Sequence, residues 1–403
     1  MLAQKTIDII KSTAPVLEVK GTEITTVFYK KMFTNHPELL NIFNHVNQKK
    51  GRQQTALANT VYAAAQNIDR LEALLPAVKQ IAHKHRSLGI KPEQYPIVGE
   101  HLLMAIKEVL GDAATDEILE AWGEAYGVIA QVFIDVEEGM YQDAESQNAG
   151  WRDFKDFTVV KKEEESSLIT SFYLKPNDGQ KVPAYLPGQY ITIRLGIPGE
   201  EYLFNRQYSL SSAPNEDYFR ISVKREAEQS PEGKVSNYLH DKVNEGDVVE
   251  VSAPAGDFHL DTEDHTPVTL ISGGVGITPM FSMLETIADN NPSRPTIFVH
   301  ASRNEEVHAF KDDVTELVNA MENGNAFFVY EKPIDPQTIC DHQGYINTAV
   351  LERLVDRDSV CYVCGPAPFM KAVVSSLMSI GIPEGKIRYE FFGPAMKFEL
   401  QEA

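Results

Sequence analysis

The sequence predicts a multidomain chain with an all-α segment, then an antiparallel β-barrel, then an α/β segment built on a parallel sheet. Three observations carry this. Apolar residues recur at helical spacing through residues 1–145, with Pro and Gly mainly between the periodic runs. From about residue 155, short β-branched and aromatic runs alternate with turns. From about residue 266, strands and helices alternate. A chain of 403 residues is too long for one core and fits two or three domains. The expected boundaries are 1–146, a linker at 147–150, then 151–261 and 266–403.

The formal charge is −21, from 37 Lys+Arg and 58 Asp+Glu. It divides as −5 over 1–150, −8 over 151–265 and −8 over 266–403, so no acidic tail carries it. A surface of this sign disfavours nucleic acid and anionic membrane as partners. Three cysteines exclude a disulfide scaffold. Cys361 and Cys364 form a CxxC without a second pair, which argues against zinc, and the absence of CxxCH argues against covalent haem. The start MLAQKTIDIIKSTAP lacks a cationic segment followed by an apolar run. No stretch approaches the ~20 apolar residues of a spanning helix. Together these predict a cytoplasmic protein.

In the helical segment, Leu71, Leu74, Leu75, Val78, Ile81, Ala82 and His85 form one stripe, and His83 falls off it. Tyr95 shares a second stripe with Val98, Leu102, Leu103, Ile106, Val109 and Leu110. Tyr126, Ile129, Ala130, Phe133 and Glu137 make a third, which puts a carboxylate on an apolar face where an unpaired one is costly. An inward His at a helix end is either a core histidine or an axial ligand to haem iron. Three inward polar groups are most economically a hydrogen-bonded set. A carboxylate accepting from the non-ligating N–H of a ligand His makes that His more electron-donating. Tyr29 sits at the edge of the Ile24–Phe28–Met32 face, and alone reads as a packing tyrosine. Phe43 suits a core or a porphyrin face. Gln53 and Leu57, four apart, suit a distal wall, although Gln53 alone reads as surface. The polar run Tyr141 to Trp151 reads as a linker.

The runs TVV, LITSFYL, QYITIRL, FRISV and VVEV predict the barrel strands, separated by turns such as PNDG and PNED. VTLIS, TIFVH, AFFVY and VCYVC predict the parallel strands, with a helix near Asp312 to Met321 and another at the end.

The spacing of Tyr29, Phe43, Gln53, His85, Tyr95 and Glu137 resembles the haemoglobin domain of the bacterial and fungal flavohaemoglobins. So do the runs FYKKMF, HPELLNIFN, NTVYAAAQNI, LPAVKQIAHKH, IKPEQYPIVGEHLL and AWGEAYGVIAQVFI. The resemblance continues over essentially the whole chain. It implies haem b with His85 as proximal iron ligand, Tyr95 and Glu137 as its hydrogen-bonding pair, Tyr29 as distal tyrosine and Lys84 beside the ligand His. Phe43, Gln53 and Leu57 would line the haem pocket.

RQYSLSS (Arg206 to Ser212) resembles the RxYS motif of the ferredoxin-reductase-like flavoproteins. The resemblance implies Arg206 on the FAD pyrophosphate, Gln207 in the same site, Tyr208 against the isoalloxazine and Ser209 near flavin N5. LPGQY precedes it and places Tyr190 on FAD. VKRE follows with Lys224, then GKVSNYL, whose Val235 and Ser236 would open a helix toward the pyrophosphate. VTLISGGVGITPM reads as strand, Gly-rich turn and helix start. It is not GxGxxG, but glycines still let a dinucleotide approach the backbone. With VCGPAPFM it resembles the pyridine-nucleotide half of that superfamily. This implies an NAD(P)H site at Gly273, Gly274, Val275, Gly276, Ile277, Thr278, Pro279, Cys364, Gly365 and Pro366, with Cys364 beside the nicotinamide and Cys361 in the core. In YEFFGPAM, the positions Glu390, Phe391, Phe392, Gly393 and Pro394 match the segment that closes over the flavin; alone they read as an apolar edge strand. Arg303 suits a 2′-phosphate, while Glu305 and Glu306 follow closely, so NADH and NADPH both stay open.

The resemblance implies a nitric oxide dioxygenase: electrons pass from NAD(P)H to FAD to haem, and NO meets O2 and leaves as nitrate. O2 and NO would be the substrates, with no obligatory protein partner and no stable membrane association. Two other functions are consistent with parts of the sequence. One is an oxygen-binding or oxygen-sensing globin without turnover; the other is a flavin reductase acting on other oxidants or peroxides.

Overall fold

The computed structural model describes residues 2–44, 48, 50–215, 217–227, 232–335 and 337–392. The first segment is helical: α1 (Gln4–Asn35), α2 (Arg52–Gln66), α3 (Leu75–Leu88), α4 (Gln94–Leu110) and α5 (Asp116–Ser146). Their inward faces meet in a core that includes Phe28, Met32, Leu102, Ile106 and Trp122. The start of α5 is set by Thr115, whose hydroxyl accepts from Ile118 N–H at 3.3 Å, with Asp116 and Glu117 in the first turn. Gly89, at φ 74°, closes α3 in the left-handed conformation, which puts His85 and Arg86 in its last turn.

Two sequence expectations need correction. The stripe from Leu71 does not lie on one helix: Leu71–Leu74 is a separate 3-10 turn, and α3 begins at Leu75 with Pro76 in its first turn. Leu75 is exposed, while Val78 and Ala82 are buried. The run Tyr141 to Trp151 is not all linker. Helix α5 continues to Ser146, because Tyr141 is buried and donates its hydroxyl to Ile90 O at 2.8 Å. Trp151 already packs on the barrel core and donates its indole N–H to Val251 O at 3.1 Å.

Strands β1 (Phe154–Glu164), β2 (Ile169–Pro176), β3 (Tyr190–Leu195), β4 (Phe204–Ser209), β5 (Phe219–Lys224) and β6 (Val248–Ser252) form an antiparallel sheet in the order β4-β3-β6-β1-β2-β5. A bridge between Leu210 and Ile221 joins the β4 end to β5 and closes the barrel. Its interior holds Phe157, Phe172, Ile191, Ile193, Phe219 and Val251. Helix α6 (Lys234–Lys242) lies between β5 and β6. The RxYS motif lies on β4, a strand the apolar runs did not mark.

The last segment is a six-stranded parallel sheet. Its strands are β7 (Val268–Gly273), β8 (Thr296–Ser302), β9 (Gly324–Tyr330), β10 (His342–Gln343), β11 (Val360–Cys364) and β12 (Ile387–Glu390), in the order β10-β9-β8-β7-β11-β12. Helices α7 (Ile277–Asn290), α8 (Lys311–Ala320), α9 (Thr348–Leu354) and α10 (Ala367–Ser379) cover it. Two cores, one with α7 and one with α10, mark the two faces. The order reverses at β7, so the Gly-rich turn after β7 stands at the switch point, where α/β sheets bind ligands. Among the described residues no helix is long and apolar enough to cross a membrane.

Candidate functional site

A cavity of about 530 Å³ lies where the helical segment meets the barrel. Phe28, Tyr29, Phe43, Leu57, Val61, Val98, Leu102 and Phe133 supply its apolar walls. Gln53, Lys84, His85, Tyr95, Tyr190, Arg206, Gln207, Ser209, Glu390, Phe391 and Phe392 line it as well. One cavity therefore joins residues from positions 28 to 392.

On one side His85 Nδ1 lies 2.7 Å from Glu137 Oε1, and the Tyr95 hydroxyl donates to the same oxygen at 2.6 Å. Glu137 is buried. A carboxylate only accepts, so Nδ1 carries the proton and Nε2 is left as the nitrogen able to bind a metal. Burial, then the Glu137 charge, pushes the Tyr95 hydroxyl far up, so it stays a donor. Tyr126 fixes this tyrosine from behind by donating to its carbonyl at 2.6 Å. That approach requires Gly99, since a Cβ there would stand 2.5 Å from the Tyr126 ring.

Tyr29, which lines the same cavity, is 6% exposed, and burial raises its pKa far above the ordinary value. It packs against Phe28 (4.7 Å between centroids), Phe33 and Phe43. Its hydroxyl has no protein partner among the described residues. Gln53 accepts from the Gln48 amide at 2.9 Å. A largely apolar cavity with one imidazole, His85, suits a porphyrin whose iron that imidazole would hold.

The barrel wall is joined directly to α3. Buried Arg86, next to His85, donates to the carbonyls of Ala253 and Pro254. Gly256 N–H donates to His83 Nδ1 at 3.3 Å, and the Gln207 amide donates to Ser87 Oγ at 2.9 Å. Leu203 N–H reaches Asn41 Oδ1 at 2.9 Å. None of these anchors was visible in sequence, because their partners lie far apart along the chain.

Arg206 is half-buried and, among the described residues, has no carboxylate partner; its guanidinium donates to Asn205 O at 2.7 Å. The buried Tyr190 hydroxyl also lacks a partner in hydrogen-bond geometry. A guanidinium without a carboxylate partner fits a dinucleotide pyrophosphate. Lys84 and Glu390 meet this wall. Burial lowers the Lys84 pKa, and burial raises Glu390 to about 7 against the opposing Lys84 charge.

Four residues expected on the flavin are not among those lining the cavity. Tyr208, on β4, is half-buried and packs against the barrel core. Lys224 pairs with Glu226 at 3.0 Å, and Val235 is core. Ser236 donates to Gly233 O at 3.0 Å. Gly393 and Pro394 lie outside the described residues.

The Gly-rich turn opens α7. Gly273 ends β7, and Gly274 takes φ 55° with open space around its Cα. A Cβ on Gly276 would overlap the Cys364 backbone. Val275 O accepts from Thr278 Oγ1 at 3.0 Å, while Ile277 and Pro279 are buried. Gly365 and Gly273 both pack on Phe369. Pro366 caps α10. The Cys364 thiol is fully buried in the α7-side core, where burial keeps it protonated, so only its backbone borders the turn. Cys361 is core on the other face. Arg303 follows β8, and its carbonyl accepts Lys332 N–H. Glu305 is committed to a loop: it accepts from Ile334 N, Asp335 N and Thr338 Oγ1 at 3.1, 2.9 and 2.7 Å, which holds it at about 2.

Three families match along the chain: Globin over residues 26–133, an oxidoreductase FAD-binding domain over 156–260 and an oxidoreductase NAD-binding domain over 270–375. The flavohemoprotein of Bacillus thuringiensis subsp. konkukian is 55% identical, over 99% of this chain and all of its own length. Flavohemoprotein A of Dictyostelium discoideum is 49% identical, over 98% of each chain. The flavohemoglobin of Malassezia yamatoensis, solved with bound FAD and haem, superposes with a TM-score of 0.87 at 29% identity, over 97% of this chain and all of that one. The FAD/NAD-binding part of a Vibrio cholerae nitric oxide dioxygenase is 41% identical, with a TM-score of 0.56, over 60% of this chain and all of that one. With a haem-type globin segment, an FAD-binding barrel and an NAD-binding sheet in one chain, the protein belongs to the flavohemoprotein (flavohaemoglobin) family.

Proposed function

We propose that the chain is an NAD(P)H-dependent nitric oxide dioxygenase, which oxidises NO with O2 to nitrate. The observation that carries this is the single cavity joining His85 to Tyr190, Arg206, Gln207, Ser209 and Glu390. A haem site and a flavin site that share one wall serve repeated reduction, which an oxygen store does not need. When bound, FAD takes a hydride from the nicotinamide and releases electrons singly to the haem, whose iron activates oxygen.

The chain's own residues act around that chemistry. His85 would hold the haem iron through Nε2, the nitrogen left free by the Nδ1 bond to Glu137. Glu137 holds its tautomer and orientation and makes the imidazole more electron-donating, while Tyr95 fixes the carboxylate. Tyr29 offers its unpartnered hydroxyl to an oxygen substrate, where developing negative charge strengthens the bond. Phe43, Gln53 and Leu57 bound the pocket and keep it largely apolar, which suits neutral O2 and NO. Lys84 balances Glu390 at the flavin-facing wall. Arg206 would hold the FAD pyrophosphate and Tyr190 would contact FAD, while Gln207 and Ser209 line the cavity on the barrel side. Phe391 and Phe392 cover it. The turn from Gly273 to Pro279, with Gly365 and Pro366, admits NAD(P)H, and Arg303 borders its ribose end. With the reductase on the same chain, no partner protein is needed.

The test is a nitric oxide electrode in aerated buffer. Addition of NADH to the holoprotein should remove NO and yield nitrate; NADH oxidation that leaves NO untouched would overturn the proposal.

A further inference from the structure

Among the described residues two that are not glycine take positive φ: Ala149 and Phe310. Phe310, at φ 59°, is the N-cap of α8. A bulky side chain is disfavoured there and persists only where its surroundings over-determine it. Those surroundings are an interdomain joint. The Phe310 ring stacks on Phe281 of α7, with centroids 4.4 Å apart and planes at 10°. Over both rings lies the Arg220 guanidinium from barrel strand β5, at 5.2 Å from Phe281 and 5.3 Å from Phe310. Arg220 is 8% exposed.

Further bonds hold the same joint. Arg220 donates to Ser211 O and lies 3.4 Å from both Glu285 carboxylate oxygens. Glu285, on α7, also accepts Ala213 N–H at 2.7 Å. Ser282 Oγ donates to Ser212 O at 2.6 Å, and Ser167 N–H donates to Glu306 O at 3.0 Å. The Arg220 Nε–H is buried without a partner. The guanidinium thus leaves one donor without an acceptor while lying within cation–π distance of both rings.

Both elements gripped by Arg220 lead to the nucleotide site. Helix α7 starts from the Gly274–Gly276 turn, and the segment carrying Phe310 starts from Arg303 at the end of β8. We propose that Arg220 is a positioning residue for hydride transfer: through Phe281, Phe310 and Glu285 it sets the nucleotide turn relative to the barrel that holds the flavin. This rests on the FAD- and NAD-binding domains and not on which oxidant the haem serves. A failure at NO oxidation therefore leaves it standing, and the reverse also holds.

The test uses the FAD- and haem-loaded protein with Arg220→Met, which keeps length and apolar packing but removes charge and planarity. Anaerobic stopped-flow mixing with saturating NADH should show flavin reduction slowed by about tenfold or more, since small misplacements of reacting groups are costly. NADH affinity should change little, the isotope effect with 4-deuterated NADH should rise, and flavin-to-haem transfer after photoreduction should be unchanged. Without nucleotide, amide exchange in 305–310 should rise while β5 stays protected. If Arg220→Met fails to fold, Phe310→Gly reads the same joint, because glycine accepts φ 59° and leaves the Arg220–Glu285 pair intact. An unchanged flavin-reduction rate per bound flavin in either variant, or unchanged exchange in 305–310, overturns the proposal.

Discussion

His85 Nδ1 stands 2.7 Å from Glu137 Oε1, a contact between helices α3 and α5 spanning 52 residues of sequence. The Tyr95 hydroxyl shares that oxygen from α4 at 2.6 Å, so three helices converge on one acceptor. Glu137→Gln keeps the shape and an acceptor but removes the charge. It should retain haem and fold while slowing turnover by about 10- to 100-fold, the usual range for such supporting partners. Haem content by absorbance and single-turnover kinetics check this. Full activity in the variant would show that the carboxylate only fills space.

Tyr29→Phe removes the distal phenol and leaves its ring packing with Phe28, Phe33 and Phe43 in place. A hydrogen bond to a charged acceptor contributes about 1.5–3 kcal/mol. Oxygen should therefore dissociate at least about tenfold faster, with thermal stability nearly unchanged. Flash photolysis measures the first and calorimetry the second.

Gly276→Val places side-chain atoms on the Cys364 backbone. Backbone cannot yield as a flexible side chain can, so the turn and its neighbour strand must shift. The variant should keep its Soret band and lose NADH-driven flavin reduction. Rapid mixing with NADH, followed at the flavin band, decides it.

A buried histidine pair predicts acid sensitivity in the α/β segment. His300 and His308 rings lie 4.5 Å apart; His300 Nδ1 is 2.8 Å from Ser272 Oγ, and His308 Nδ1 is 2.8 Å from the Tyr330 hydroxyl. Burial, aided by the Lys311 charge, holds His308 at about 3, and burial also lowers His300. Between the unfolded value near 6.5 and about 3, the unfolded chain binds the proton that the folded one refuses. This contribution to stability is complete above 6.5 and is lost as pH falls toward 3. His308→Gln should flatten the decline in thermal midpoint across that window, read by calorimetry at stepped pH.

Sequence spacing located His85, Tyr95 and Glu137 on inward faces because helical period is a local property, and the three do meet. The RxYS and Gly-rich motifs pointed to the barrel wall and the β7–α7 turn through the family resemblance they carry. Strand β4 shows the limit: it is too polar to announce its register. Strand β10 has two residues and β12 four, too few for a pattern. Arg86, Ser87, Arg220 and Glu285 earn their places only through partners from other segments, so no local signal could find them. Glu305 follows β8 closely in sequence, but the loop after β9 takes its carboxylate, which no local pattern could show.

A nitric oxide dioxygenase uses the electrons of NAD(P)H to join NO to O2. Each conversion of NO and O2 to nitrate consumes one electron, and each NADH supplies two. The decisive measurement is nitrate formed per NADH at limiting NADH, with NO and O2 in excess. The account predicts two nitrates per NADH; NADH consumed without nitrate would contradict it.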